Sequence, residues 1–88
     1  MNIEKTIREY IIDNFLMGES SRLPDNTVSF LDNGIIDSTG VLELVTFVEE
    51  TFGITIEDDE LLPENLDSVY NLADFIRRKK MSTQTVKQ

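Results

Sequence analysis

Ser38 is the residue in this chain that invites a chemical reading. It follows Asp37 in the stretch GIIDSTG, residues 34–40, where the pattern that follows predicts the start of a helix. A serine nucleophile needs a general base within hydrogen-bond reach, most often histidine. The 88-residue chain has no histidine and no cysteine. Lysine could replace histidine, but no lysine lies between Lys5 and Lys79. A lysine at a helix end is normally solvated, so intrinsic nucleophilic catalysis is not expected. Paired carboxylates suggest glycosidase chemistry, but so small a domain offers no sugar-sized cleft. The run Glu57-Asp58-Asp59-Glu60 is acidic enough to attract calcium. It lacks the alternating aspartates, the glycine and the distal glutamate of a calcium loop, so a solvated charge run is the expectation. No catalytic residue and no metal ligand is assigned.

Two uses remain for the Asp37-Ser38 pair. Either residue can cap the helix, accepting hydrogen bonds from its first backbone N–H groups. Alternatively, the unpaired N–H groups and the positive end of the helix dipole favour an anion, and a phosphate ester on Ser38 would sit in that field. Local chemistry alone leans toward the cap.

The surroundings set the limits. A chain of 88 residues makes one domain with one modest core. No apolar run approaches the ~18 residues of a membrane span. The N-terminal MNIEKTIREY carries charges where a signal peptide carries an apolar stretch, so a cytoplasmic location is expected. Net charge is −9, and residues 23–76 hold 13 acids and no lysine or arginine. The eight basic residues lie toward the two ends. Such a surface suits basic protein patches and not nucleic acid.

Periodicity supplies the elements that would position Ser38. Ile3, Ile7, Tyr10, Ile11 and Phe15 mark one face of a helix over residues 3–16, with Gly18 as its stop. A loop over residues 18–37 follows. Its Val28, Phe30, Leu31, Ile35 and Ile36 are too apolar to be solvated together, so the loop is expected to be packed. The second helix spans residues 38–52, with Val41, Val45, Val48 and Phe52 as its stripe, Leu42 and Leu44 widening it, and Gly53 ending it. Phe47 is expected at a core edge. Pro63 opens a short helix through Leu66. A last helix over residues 68–79, capped by Asp67 or Ser68, buries Val69, Leu72, Ala73 and Ile76. The cations Arg77, Arg78, Lys79 and Lys80 are expected at its dipole's negative end. The fold class is all-α: a small four-helix bundle, three main helices plus one short one, with a long first loop. Residues 1–80 form the domain, and residues 81–88 are expected to be a disordered tail.

The wider pattern resembles the acyl carrier protein family, which includes peptidyl and aminoacyl carrier domains. The resemblance rests on Gly34, Asp37, Ser38, Glu43, Leu44, Val45, Glu49, Glu50, Phe52 and Gly53 in register, followed by an acidic loop and two further helices. It covers about residues 3–79. It implies that a phosphopantetheinyl transferase attaches 4′-phosphopantetheine from coenzyme A to Ser38, beside Asp37. Acyl or aminoacyl groups then ride on the arm's thiol as thioesters. That would account for the absent base, which the partner supplies, and for the absent cysteine. The implied role is a non-enzymatic, monomeric carrier in lipid or secondary-metabolite biosynthesis. It would serve a loading ligase and downstream acyl-using enzymes whose basic patches meet Asp37, Thr39, Glu43, Glu49 and Glu50.

Two positions depart from the family pattern. Thr39 stands where Leu or Met is usual, and Gly40 where an acid is frequent. A helix-interior glycine costs about 1 kcal/mol relative to alanine, so a looser, less apolar helix start is expected. That suggests a specialised stand-alone carrier for an amino acid or an unusual acyl chain. The alternative is a small acidic helical adaptor that binds a basic protein and treats Ser38 as a cap.

Overall fold

The computed structural model describes residues 2–86, with side chains through residue 81. In chain order it contains α1 (Ile3–Phe15), a 3-10 turn (Ser20–Arg22), α2 (Ser38–Phe52), a second 3-10 turn (Asp58–Glu60), α3 (Pro63–Leu66) and α4 (Val69–Val86). Among the described residues there is no strand, and the architecture is the expected helical bundle.

Each helix starts for a local reason. The Asn2 carboxamide accepts from the Lys5 N–H (3.0 Å) and opens α1. Pro63 occupies the first turn of α3, where its missing N–H costs nothing. Ser68 Oγ accepts from the Asn71 N–H (3.0 Å), so serine and not Asp67 caps α4. Gly53 closes α2 in the left-handed conformation (φ 68°, ψ 36°), as expected. At the end of α1 the left-handed turn falls on Met17 (φ 54°) and Gly18 together. Met17 is therefore a long side chain where glycine would be unstrained.

The core joins all four helices to the long loop. Ile7 and Ile11 of α1, Leu44, Val48 and Phe52 of α2, and Val69, Leu72, Ala73 and Ile76 of α4 are buried, as are Ile54 and Ile56 between α2 and α3. Phe75 and Leu16, which the stripes omit, are buried too. Phe47 lies at a core edge, stacked on Tyr10 with centroids 3.8 Å apart. The α2 stripe is rotated from its expected centre. Leu44 and Val48 are buried and Val41 and Val45 only half-buried, while Leu42 is 62% exposed.

The loop over residues 18–37 is packed, as its apolar content required. Leu23, Phe30, Ile35 and Ile36 are buried. Arg8 donates to the Leu23 carbonyl (2.7 Å) and to Asn26 Oδ1 (3.2 Å). Asp67 binds the loop from the α3–α4 junction. Its carbonyl accepts from the Phe30 N–H (3.0 Å), and its carboxylate accepts from the Leu31 N–H (2.8 Å) and the Ser29 hydroxyl.

The cations of α4 do other work than expected. The helix runs on to Val86, because no glycine or proline follows Lys79 to stop it. Arg77 to Lys80 are thus inside the helix, not at its end, and all four reach other elements, Arg78 by a long bond to Asn65 of α3 (3.5 Å) beside its pair with Asp74 within α4. Arg77 pairs bidentately with Glu4 of α1 (2.8 and 2.8 Å). Lys79 pairs with Glu60 (2.9 Å), and Lys80 donates to the Phe52 carbonyl at the end of α2 (3.0 Å). Of the tail expected at residues 81–88, the side chains beyond residue 81 and all of residues 87 and 88 lie outside the described residues.

Candidate functional site

The start of α2 resolves which of Asp37 and Ser38 is the cap. Asp37 has extended backbone (φ −98°, ψ −177°), and its carboxylate accepts from the Gly40 N–H at 2.8 Å. Its carbonyl takes the first helical bond, from the Val41 N–H at 3.0 Å. Ser38 is therefore the first residue inside the helix. It is exposed, and among the described residues its hydroxyl makes no hydrogen bond. The N–H groups of Ser38 and Thr39 precede any possible helical acceptor and open toward solvent. A negative group on Ser38 Oγ would meet those donors and the positive end of a 15-residue helix.

Gly40 makes this start tight, not loose. It is buried, and a Cβ at this position would meet Phe15 Cε1 at 2.9 Å and Ile36 Cγ2 at 3.0 Å. The missing side chain lets the end of α1 and the loop residue before Asp37 press against the first turn of α2. The expected looseness is thus corrected: the propensity cost is offset by packing that only glycine admits.

Beside this turn lies an apolar cavity of about 90 Å³. Ile36 of the loop, Val41 and Leu44 of α2, and Leu61, Leu62 and Leu66 from the segment beyond α2 are among the residues that line it. Val41 lies three residues after Ser38, on nearly the same flank of the helix. Leu31 and Leu62 line the cavity while 45% and 41% exposed, so the cavity opens to the surface beside them.

The acids named in the sequence separate into two groups. Glu43 and Glu50 are exposed, as are Asp37 and Thr39. Glu49 is half-buried, and its Oε2 accepts from the Ile56 N–H at 2.8 Å. It braces the segment that follows α2. Glu43 sits beside α1, where its carbonyl accepts from the Tyr10 hydroxyl (3.4 Å). Burial, then the Glu43 charge, pushes the Tyr10 phenol up from its ordinary value. Asp58–Glu60 form a 3-10 turn and no metal cage; among the described residues no cluster of three or more potential ligands is assembled. Among the described residues no helix is long and apolar enough to cross a membrane.

Sequence reasoning missed Leu42 as an exposed apolar residue one turn beyond Ser38, and it missed the cavity. Residues 41–48 are apolar at six of eight positions, so periodicity alone left the face underdetermined. Gly40 was the available signal, since a buried glycine marks the side where another element comes closest.

The class defined by fold and site is a small acidic helical bundle that presents an uncommitted serine at a capped helix N-terminus, beside an apolar cavity. The comparisons agree with it. The chain is 36% identical over 78 residues to an acyl carrier protein of Buchnera aphidicola subsp. Schizaphis graminum, covering 89% of this chain and 94% of that protein. It is 32% identical over 80 residues to an acyl carrier protein of Buchnera aphidicola subsp. Acyrthosiphon pisum, covering 91% and 95%. Against an acyl carrier protein of Solidesulfovibrio magneticus the figures are 29% over 80 residues, 91% and 97%. No protein-family model matches the chain. The protein belongs to the acyl carrier protein family. Its members are carriers rather than enzymes and generally bear 4′-phosphopantetheine.

Proposed function

We propose that this protein carries acyl or aminoacyl groups as thioesters on 4′-phosphopantetheine attached to Ser38. The observation that supports this most is the division of labour at the start of α2. Asp37 alone supplies the cap, which leaves the Ser38 hydroxyl exposed and uncommitted. The residues fit the group, since a phosphodiester on Ser38 Oγ would gain the first-turn N–H groups and the helix dipole.

Ser38 Oγ would form the new phosphoester bond while the pyrophosphate bond of coenzyme A breaks and adenosine 3′,5′-bisphosphate leaves. The serine proton passes to a base of the transferase, because this chain has no histidine to take it. When bound, the group supplies a flexible arm ending in a thiol. The chain's own residues would position the arm's root, present acids to partners, and shelter an apolar cargo. The cavity beside Val41 is smaller than the ~150 Å³ apolar cavity that accommodates benzene, and a short acyl segment suits it. Glu43, Glu50, Asp37 and Thr39, with Leu42 exposed among them, form the docking face for the transferase, a loading ligase and downstream acyl-using enzymes with basic patches. Residues 1–80 constitute the monomeric carrier domain, and a cytoplasmic setting suits partners of lipid or secondary-metabolite biosynthesis. Family membership favours this reading over a passive adaptor.

The absence of cysteine provides a direct test. Any thiol that appears after incubation with coenzyme A and a phosphopantetheinyl transferase, once small molecules are removed, must belong to the arm. The proposal expects one titratable thiol per chain. A thiol signal no higher than that of the untreated protein would refute it.

A further inference from the structure

Two registers are open to the start of α2. In one, Asp37 is extended and caps the helix, and Ser38 is the first helical residue. In the other, the helix begins one residue later and Ser38 is the cap, its hydroxyl accepting from the Gly40 or Val41 N–H. Only the first leaves Ser38 Oγ uncommitted. Aspartate and serine cap about equally well, so the choice needs a cause outside the two residues.

That cause lies in α1. Phe15, its last residue, is half-buried. Phe15 Cε1 stands 2.9 Å from where a Cβ of residue 40 would be, and Asp37 Oδ1, the capping atom, 3.3 Å from the same point. Ile36 Cγ2 approaches that point to 3.0 Å. Ring and methyl thus lie against the N–H that the cap binds, and the Asp37–Gly40 hydrogen bond (2.8 Å) is partly buried. The ring is backed. Tyr10 meets it edge-on with centroids 5.9 Å apart, and Phe47 of α2 stacks on Tyr10 at 3.8 Å. The Tyr10 hydroxyl donates to the Glu43 carbonyl (3.4 Å), one turn beyond Gly40. α1 therefore holds α2 at successive turns, and one of these contacts closes over the cap. Gly40 is helical, so no left-handed backbone calls for glycine there; the close approach does.

We propose that Phe15 and Gly40 are positioning residues for the modification of Ser38: their contact holds α2 in the register that Asp37 caps. Neither residue touches the reacting atoms. They act through Asp37, by keeping its carboxylate on the Gly40 N–H. What is done at Ser38 rests on the carrier reading above; the register does not.

The test has two arms on the full chain. In the first, NMR of the unmodified protein reads the Ser38 Cα chemical shift, which is helical in one register and extended in the other. Gly40→Ala and Phe15→Ala should each move it toward the extended value, and Phe15→Leu should do so more weakly. Wild type and the core control Ile76→Val should stay helical. A Ser38 shift that stays helical in the position 15 and 40 variants overturns the proposal. In the second arm, arm attachment by a phosphopantetheinyl transferase is timed well below each variant's melting temperature. When only a fraction of the molecules is competent, apparent affinity falls by that fraction. KM for the carrier should therefore rise about three- to tenfold in Gly40→Ala and Phe15→Ala, for a competent fraction of about a third to a tenth, while kcat holds. The double variant Phe15→Leu/Gly40→Ala should recover much of the loss, because leucine has no Cε atom to meet the added methyl. Ile76→Val should match wild type. An unchanged KM, a fall in kcat alone, or an equal change in Ile76→Val overturns the positioning role. A wild-type chain that accepts no arm refutes the carrier reading, while the Ser38 shift still decides the register.

Discussion

Glu49 and Glu50 are neighbours of the same type, and the structure assigns them different work. Glu49 satisfies the N–H of the buried Ile56, whereas Glu50 and Glu43 point to solvent. Glu49→Lys should cost about 1–3 kcal/mol, the penalty for a buried donor left unpaired, measured by denaturant unfolding. Glu43→Lys and Glu50→Lys should stay within about 0.5 kcal/mol of wild type and yet slow loading at low salt. Equal loading rates would remove those two acids from the docking face. Residue chemistry also sets the acid limit. The Arg77 hydrogen bonds hold Glu4 below its ordinary value of 4.5. The Glu57 N–H, then Lys79, do the same for Glu60. A depressed folded-state pKa contributes stability above the ordinary value and loses it as pH falls through the folded one. These two contributions should therefore stay intact down to about pH 4.5 and decline below it. Arg77→Met and Lys79→Met should each flatten that decline in a pH series of melts.

At the element scale, Gly40 separates two accounts of the same residue. Helix propensity says Gly40→Ala should stabilise by about 1 kcal/mol. The contacts at 2.9 and 3.0 Å from its missing Cβ oppose this, and overpacking costs about 1–3 kcal/mol. The expected outcome is a lower melting temperature, and a higher one would mean that Phe15 and Ile36 yield freely. Met17→Gly should do the reverse. It relieves a left-handed φ of 54° at a side chain 93% exposed, a gain of about 0.5–1 kcal/mol. These positions also show what could be read from sequence. Both ends of α2 and all of α3 were legible from Asp37-Ser38, Gly53, Pro63 and Leu66, because caps and turn residues act locally. The packed loop was legible from Phe30, Ile35 and Ile36, which no solvated loop tolerates together. The rotation of α2 was not, because Val41, Leu42, Leu44 and Val45 offer apolar surface on several sides and only the approach of Phe15 selects one. The anchoring by Asp67 and the Lys79–Glu60 pair join residues far apart in sequence, and the brace at Glu49 reaches past the end of its own helix; periodicity has no access to such pairs.

For the molecule as a whole, the charge pattern has two consequences. Thirteen acids between residues 23 and 76, with no intervening lysine or arginine, repel one another over distances that salt screens efficiently. The α4 ion pairs are short and partly shielded, so screening weakens them less. Raising salt at neutral pH should therefore raise the melting temperature, and a flat response would show that the acids are already screened. The cations that restrain this surface lie in α4. A chain ending at residue 78 loses both the Lys79–Glu60 ion pair and the Lys80 bond to the Phe52 carbonyl, and each kcal/mol lost should lower the midpoint by about 4–8 °C in a domain of this size. At the centre of the account stands one atom, Ser38 Oγ, which Asp37 leaves free. Intact mass after incubation with coenzyme A and a phosphopantetheinyl transferase tests that most directly. The account predicts a single addition equal to the arm on the wild-type chain, none on Ser38→Ala, and fragment ions that place it on Ser38. An unmodified wild-type mass, or an addition that survives Ser38→Ala, would contradict it.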